Sequence, residues 1–486
     1  MRAVFDFHDL NKLGVPLKRV VADSRKVQPG DVFLACMGEY QDGRNFIAQA
    51  LAAGAAAVLW EQDDFSWNHA WQVPHLAVPG LRWLAGSIAA HVHGDPSRHM
   101  PVIGVTGTNG KTSISHWLAQ ALSALGRKTA VIGTVGNGFW GALEGSTHTT
   151  PDPVSLQEKL AGYRAQGAQC MAIEVSSHGL DQGRVNGTHF EVAVFTNLTR
   201  DHLDYHGDME SYGEAKAKLF AWPELRHAVI NSDDEFGRQL AANAERAGVK
   251  VWRYGLQAGD LHCRDLQIDS AGVSMTVVTP LGEAPLRSRL LGEFNVANLL
   301  AALGSMLALQ VPLADAVVAL QQIMPAPGRL QTVNHGGNEP LVVVDYAHTP
   351  DALEKVLSTL QAVKPAGAKL YCVFGCGGDR DPGKRPLMGK AVSWLADVAV
   401  VTSDNPRSED PQHIIEQILT GMGKAAKVEQ DRAAAIDWAI EQAQSGDIVL
   451  LAGKGHEEYQ QVQAVKLPFS DAAVARAALA KRGGAA

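Results

Sequence analysis

The sequence predicts an α/β protein of three domains built on mostly parallel sheets, and three observations lead there. The chain has 486 residues, about three ordinary domains' worth. Short apolar, β-like runs alternate with longer amphipathic stretches, the pattern of strands joined through crossover helices. Two breaks, His93-Gly94-Asp95-Pro96-Ser97 and Pro325-Ala326-Pro327-Gly328-Arg329, interrupt that alternation where helices stop. They divide the chain into a small α/β N-terminal domain (1–97), a central domain (98–328) and a C-terminal, doubly wound, Rossmann-like domain (329–486).

The first domain reads as short strands and one Ala-rich helix over residues 46–57. In the central domain Val102, Ile103 and Val105 close a buried strand. Ile114, Trp117, Leu118, Ala121, Leu122 and Leu125 then recur at helical spacing, with Gly126 placed to cap the helix. Strand patterns return at 130–132, 172–175 and 192–196, and residues 250–290 read as an antiparallel addition. After the second break the alternation restarts, with strands at 341–344, 370–374, 398–401 and 448–451. The terminal Gly483-Gly484-Ala485-Ala486 reads as a frayed tail.

Composition excludes several classes. A net charge of -8 argues against a nucleic-acid binder, which needs a basic surface. The cysteines Cys36, Cys170, Cys263, Cys372 and Cys376 form no C-x-x-C pair and read as scattered reduced thiols. The start, Met1-Arg2-Ala3-Val4-Phe5-Asp6, has no long apolar segment, and no run reaches the ~20 apolar residues of a membrane span. The expectation is a cytoplasmic monomer without membrane insertion.

The most informative run is Ile103-Gly104-Val105-Thr106-Gly107-Thr108-Asn109-Gly110-Lys111-Thr112. A strand enters it and a helix leaves it, which builds a nest of backbone N–H groups around phosphate. Lys111 is placed to meet the phosphate charge and Thr112 a magnesium ion. The spacing departs from the general phosphate-loop pattern, because Val105 stands where the first glycine belongs and Gly107 takes over its part. The central domain is therefore expected to handle a nucleoside triphosphate, as a phosphate-loop ATPase domain.

Other polar residues follow predicted strands, where an open α/β sheet places its ligand crevice. Glu174 sits in an apolar strand that runs into Ser176-Ser177-His178-Gly179-Leu180, and such a carboxylate needs a partner, either a shared Mg²⁺ or a buried salt bridge. Asn197-Leu198-Thr199-Arg200-Asp201-His202-Leu203-Asp204-Tyr205-His206 offers a second metal position with His202 as ligand, or else ordinary loop polarity. Lys216, in Glu214-Ala215-Lys216-Ala217-Lys218, reads from composition as an exposed helical lysine. In the last domain the strand ends carry Asp345-Tyr346-Ala347-His348, Gly375-Cys376-Gly377-Gly378-Asp379-Arg380, Asp404-Asn405-Pro406-Arg407 and Gly453-Lys454-Gly455-His456-Glu457. Loops of this kind at consecutive strand ends point to a small ligand, and Arg380 and Arg407 suit bidentate recognition of carboxylates.

Taken together these motifs resemble the Mur ligases, the ATP-dependent amino-acid-adding enzymes of peptidoglycan synthesis, over about residues 20 to 460. Thr106-Gly107-Thr108-Asn109-Gly110-Lys111-Thr112 is similar to the family's ATP loop, which folylpolyglutamate synthetases share. The stretches from Glu174 and Asn197, with Asp23-Ser24-Arg25 and Pro29-Gly30-Asp31-Val32-Phe33, resemble the branch that acts third. That branch adds meso-diaminopimelate to the D-glutamate γ-carboxylate of UDP-N-acetylmuramoyl-L-alanyl-D-glutamate.

The resemblance implies roles for individual residues. Gly107, Thr108, Asn109, Gly110, Lys111 and Thr112 would hold ATP, with Asn295, Arg329 and Asp345 also touching the nucleotide. Thr112, Glu174 and His202 would bind Mg²⁺. Lys216 matches the family lysine that CO2 converts to a carbamate and that helps hold a second Mg²⁺. Ser24 would meet the uridine end of the UDP-linked substrate, and Thr149, Thr150, Ser176, Gln182 and Arg184 its muramoyl-dipeptide end. Arg380, Asp404, Asn405, Pro406, Arg407, Gly453 and Glu457 would surround diaminopimelate, and Lys111, Lys216 and His348 would serve the chemistry. Glu39 departs from the pattern, standing where close relatives often carry His. The physics supports Arg407 as the discriminating residue: diaminopimelate is lysine with a further carboxylate, which would be buried unpaired without the arginine. The alternatives are a ligase of the same fold for lysine or folylpolyglutamate, and an ATP-switched binding protein.

Overall fold

A computed structural model describes residues 5–38, 41–146, 148–269, 272–334 and 338–483. Glu39 and the last three residues of the expected tail lie outside the described residues. The chain divides into two compact units, Met1–His262 with Leu300–Ala319, and Cys263–Leu299 with Leu320–Ala486.

The first unit begins with a four-stranded sheet in the order Val20–Val21, Val32–Ala35, Ala57–Glu61, His75–Val78, every neighbouring pair parallel. Val32–Ala35 and Ala57–Glu61 are buried throughout, the unbroken apolar pattern of strands covered on both faces. The helix expected over 46–57 is shorter, Ile47–Ala52. Gly54 at φ +98° turns the chain, and Val58, Leu59 and Trp60 then favour a strand. A second helix, Leu81–Val92, ends where the first break was expected.

An eight-stranded sheet follows, in the order Lys250–Tyr254, His227–Asn231, Val192–Phe195, Val102–Thr106, Cys170–Glu174, Thr129–Ile132, Asn137–Phe139, Ala142–Glu144. The first six are parallel and the last two form an antiparallel edge. The expected antiparallel addition over 250–290 is thus only partly correct. Lys250–Tyr254 follows the helix Glu235–Arg246, a crossover that returns it parallel to His227–Asn231. Only the strands after it form a separate three-stranded sheet, in which Gly272–Thr279 and Gly282–Ser288 pair antiparallel. Val102–Thr106 lies inside the large sheet, flanked by Val192–Phe195 and Cys170–Glu174, so three strand ends converge on the loop that follows it. The helix Lys111–Ala124 leaves that loop and stops at Gly126, whose φ of +81° allows Arg127 N to donate to Leu122 O at 2.9 Å.

The second unit carries a six-stranded sheet in the order Gln331–Thr332, Leu341–Asp345, Ile448–Ala452, Leu370–Phe374, Val398–Val401, Lys427–Val428. All pairs are parallel except the first. Ile448–Ala452 is inserted between two strands that precede it in sequence, which makes a topological switch point beside it. Helix starts are set by side chains: Thr349 caps Pro350–Val363, Asp410 caps Pro411–Leu419 and Asp431 caps Arg432–Gln442. A hairpin, Tyr459–Val462 with Val465–Pro468, and a helix, Asp471–Gly483, follow the last sheet strand. All five cysteines are unpaired, and among the described residues no helix is long and apolar enough to cross a membrane.

The last helix is tied down by charge. Arg432 Nε and Nη2 each donate to the Asp471 carboxylate at 2.7 Å, Nη2 also reaches Ala452 O at 2.9 Å, and both side chains are 0% exposed. Removing one partner strands a buried charge, which costs about 3–5 kcal/mol. Asp471→Ala is expected to lower unfolding free energy by about that much in urea titration, and the double change Arg432→Met, Asp471→Leu by clearly less.

Candidate active site

The phosphate loop is shaped by its glycines and held by the neighbouring strand end. Gly107 has φ +141°, and a Cβ there would collide with Thr196 Oγ1. Thr108 N donates to Asn197 O at 2.8 Å and Asn109 N to Asn197 Oδ1 at 3.0 Å. Lys111 folds back over the loop and donates to Gly107 O and Thr108 O, each at 2.8 Å.

Glu174 is 0% exposed and sits at the centre of a chain of hydroxyls. Thr112 Oγ1 donates to its Oε2 at 2.9 Å, Thr134 Oγ1 donates to the same oxygen at 3.0 Å, and Thr134 N donates to Oε1 at 2.9 Å. Thr149 Oγ1 lies 3.0 Å from Thr134 Oγ1, which extends the chain to the sequence-predicted dipeptide residues. The others of that group gather beside it. Thr150 Oγ1 meets Ser176 Oγ at 3.1 Å, Arg184 Nη1 donates to Thr150 O at 3.0 Å, and Arg184 Nε donates to Gln182 Oε1 at 2.8 Å. Ser24 stands by the four-stranded sheet, where its Oγ donates to Gln49 Oε1 at 3.1 Å.

Lys216 is the clearest departure from the residue-level expectation. It is 1% exposed, not a solvated helical lysine, and its Nζ donates to Gly107 O at 3.0 Å, the oxygen that Lys111 also contacts. Its ammonium lies 4.1 Å from the Tyr212 ring centroid. Burial, with Lys111 alongside, pushes the amine well below its ordinary pKa. His202 takes the left-handed conformation, φ +53°, with Nε2 3.3 Å from Asp201 Oδ2. Burial lowers its pKa, opposed by Asp201 and assisted by Lys111 and Lys216.

The residues expected to bind Mg²⁺ do not form a ready-made cage: among the described residues no group of three or more His, Cys, Asp or Glu could hold a metal. Mg²⁺ does not require one, since it keeps waters and is commonly shared between one or two carboxylates and substrate phosphates. The all-oxygen pair Thr112 and Glu174, 2.9 Å apart beside the loop, suits that ion. The imidazole of His202 is a less typical donor for it.

In the second unit four strand ends carry the expected loops. Asp345 accepts from Leu330 N at 2.7 Å and Ala347 N at 2.8 Å, and burial raises its carboxyl pKa, opposed by Arg329. Arg329 lies over Tyr346, 4.6 Å from the ring centroid, and His348 Nδ1 is 2.8 Å from Tyr346 O in an exposed position. Asn295 is buried and donates to Leu291 O at 2.8 Å. Asn405 links two loops: its Nδ2 donates to Glu457 Oε2 at 2.8 Å and its Oδ1 accepts from Lys454 Nζ at 3.0 Å. Gly453 has φ +113°, and a Cβ there would lie 2.7 Å from Asp404 Oδ2. Arg407 Nη1 donates to Gly378 O at 2.7 Å, while Arg380 is exposed and bonded to Asp379 O at 3.1 Å.

Three residues with no role in the sequence reading support these loops. Thr134 bridges Glu174 and Thr149, and its signal was available, a threonine directly after a strand and a glycine. Lys454 is 0% exposed inside a loop that the sequence already singled out. Arg385, 1% exposed, pairs with Glu409, whose Oε1 accepts from Asp379 N at 2.5 Å; nothing in its sequence surroundings marks it.

Family models match the chain in three places: Mur ligase family, catalytic domain, over 16–93; Mur ligase middle domain over 105–306; and Mur ligase, glutamate ligase domain, over 328–455.

The chain belongs to the Mur ligase family.

It is 62% identical over 476 residues to the UDP-N-acetylmuramoyl-L-alanyl-D-glutamate–2,6-diaminopimelate ligase of Chromobacterium violaceum, covering 98% of this chain and 96% of that one. The ligase of the same name from Neisseria meningitidis serogroup A is 55% identical over 465 residues, covering 95% and 94%. A solved structure of a ligase of that name matches with a TM-score of 0.71 at 41% identity, covering 96% of this chain and 95% of that one. As a Mur ligase, the protein carries its glycine loop and its arginine-bearing loops on different units, Gly107 to Thr112 on the first and Arg380 and Arg407 on the second.

Two outcomes follow for this Mur ligase. Gly107→Ala is expected to weaken binding of a fluorescent ATP analogue by at least about tenfold with unchanged far-UV circular dichroism, because the loop must leave its left-handed turn. Asp345 holds its proton more tightly folded than unfolded, so the stability it contributes is present below the ordinary carboxylate range and lost as pH rises through its raised pKa. In denaturant titrations at pH 4 and 7, Asp345→Asn is therefore expected to compare less favourably with the parent at pH 4 than at pH 7.

Proposed function

We propose that this Mur ligase is an ATP-dependent, ADP-forming ligase. It joins meso-2,6-diaminopimelate to the D-glutamate γ-carboxylate of UDP-N-acetylmuramoyl-L-alanyl-D-glutamate, in the cytoplasm and as a monomer. The identity of 62% over nearly the whole chain supports the substrate pair. The single structural observation that carries the chemistry is the convergence of Lys111 and Lys216 on Gly107 O, inside a glycine loop built for phosphate.

In this reading residues 1–97 serve the UDP end, 98–328 hold ATP and 329–486 bring the amino acid. Ser24 meets the uridine, and Thr149, Thr150, Ser176, Gln182 and Arg184 orient the dipeptide so that its γ-carboxylate faces the γ-phosphate. The carboxylate attacks phosphorus, the bond to the β-phosphate oxygen breaks, and an acyl phosphate and ADP result. Lys111 offsets negative charge on the transferring group. Thr112, Glu174 and His202 would hold magnesium, which would supply charge neutralisation at the phosphates. Lys216 acts as a CO2-derived carbamate: its burial favours the neutral amine that adds CO2, and an anion there relieves two amines crowded on one carbonyl. Asn295, Arg329 and Asp345 hold the nucleotide.

The neutral amine of diaminopimelate then attacks the acyl carbon, the C–O bond to phosphate breaks, and the amine proton is lost. Arg380, Asp404, Asn405, Pro406, Arg407, Gly453 and Glu457 place that amine, and His348 orients the reacting groups. Arg407 pairs with the carboxylate that lysine lacks.

Phosphate release from ATP with the UDP-dipeptide is expected with meso-diaminopimelate and not with L-lysine. Release with lysine alone, or release indifferent to all substrates, overturns the reading. Arg407→Ala is expected to raise the KM for diaminopimelate roughly 30-fold or more, the loss of a charge-assisted pair worth about 2 kcal/mol or more.

A further inference from the structure

We propose that the hairpin Tyr459–Val462 with Val465–Pro468 is a positioning clamp for the amino-acid loop, acting through Gln460, Gln461 and Gln463 on Asp404, Asn405 and Arg407. The inference rests on the diaminopimelate reading given above.

Arg407 is a non-glycine residue at φ +52°, a left-handed conformation that an L side chain leaves unless its surroundings hold it there. The hairpin holds it from both sides of its backbone. Arg407 N donates to Gln461 O at 3.1 Å, and Gln463 N donates to Arg407 O at 2.7 Å, a parallel bridge between Arg407 and Val462. Neighbouring bonds extend the grip. Gln461 N donates to Asn405 Oδ1 at 2.8 Å, and Gln460 Nε2 donates to Asp404 O at 2.8 Å. Four bonds from three nearby hairpin residues thus reach three residues of one loop.

Beyond these bonds, Lys454 Nζ lies 5.6 Å from the ring centroid of Tyr459 in the hairpin. Its strands pair with each other in a two-stranded sheet, and Val462, Val465 and Leu467 are exposed. A two-stranded hairpin is marginal on its own in water, so its bonds to the loop order both partners at once. The guanidinium of Arg407 is anchored through Nη1 on Gly378 O, which fixes one end of the side chain. The hairpin fixes the other, at the backbone. A planar fork held at both ends has lost the freedom that weakens bidentate pairing, which is where a specificity gain arises.

The test compares Gln461→Pro with Gln461→Ala, and adds Gln460→Ala. Proline removes the amide that serves Asn405 and costs the hairpin no pairing with its own partner through that N–H, while alanine keeps the amide. Expected for Gln461→Pro and Gln460→Ala is a KM for diaminopimelate raised about tenfold, the scale of one lost hydrogen bond, with kcat and the KM values for ATP and the UDP-dipeptide within about twofold and Tm unchanged. Gln461→Ala is expected to keep the parent KM for diaminopimelate. An unchanged diaminopimelate KM in the first two variants overturns the clamp, as does a uniform loss of all parameters with a lowered Tm, the mark of a merely structural hairpin. If the parent protein itself shows no diaminopimelate-dependent turnover, the functional reading fails instead, and the two failures stay distinct.

Discussion

The glycine loop of the first unit brings two lysine amines onto one carbonyl. Lys111 and Lys216 both donate to Gly107 O, at 2.8 and 3.0 Å, and the second amine has been taken out of water to do so. Two ammonium groups sharing one acceptor repel each other, and a low-dielectric surrounding makes the repulsion larger. The protein tolerates the arrangement because one amine is held towards its neutral form by burial. The glycine that permits this cannot carry a side chain, since Thr196 occupies the space beside it.

The carboxylate of Glu174 obeys the opposite logic. It is buried without an ion pair among the described residues, and three donors from Thr112 and Thr134 satisfy it. Hydroxyls can turn: each is a donor now and offers lone pairs when a cation arrives. The same short chain of side chains, from Thr149 through Thr134 to Glu174 and Thr112, therefore joins the proposed dipeptide end to the phosphate loop, with the Glu174 carboxylate between them.

Much of this was legible in the sequence. Glycine and lysine spacing identifies the phosphate loop, because backbone conformation and residue type are local properties. The strands at 370–374 and 398–401 are local too, each a short apolar run between breaks, and they occur as expected. Lys216 was not legible from composition, since burial of a helical lysine depends on what packs against it, and Gly107 is 109 residues away in sequence. Only family resemblance singled it out. Arg385 escaped both routes, because it sits in the helix Lys384–Leu395 and its partner Glu409 lies on a loop far along the chain. The strand Lys250–Tyr254 was misassigned with the antiparallel patch because its residues do not say which neighbour they will pair with; the helix before it decides that. The hairpin after the last sheet strand was missed because its apolar residues stay exposed and give no core-facing pattern.

The strand order of the second unit has a consequence for its birth as a chain. Leu341–Asp345 and Leu370–Phe374 are made early, yet they never touch as neighbours; Ile448–Ala452 separates them and bonds to both. A nascent chain therefore cannot complete the centre of this sheet until residues near 450 have been made. Such a sheet closes in one late, long-range step rather than by growth from one end. The two inner strands gain their shared neighbour only then, from a segment most of a domain away in sequence.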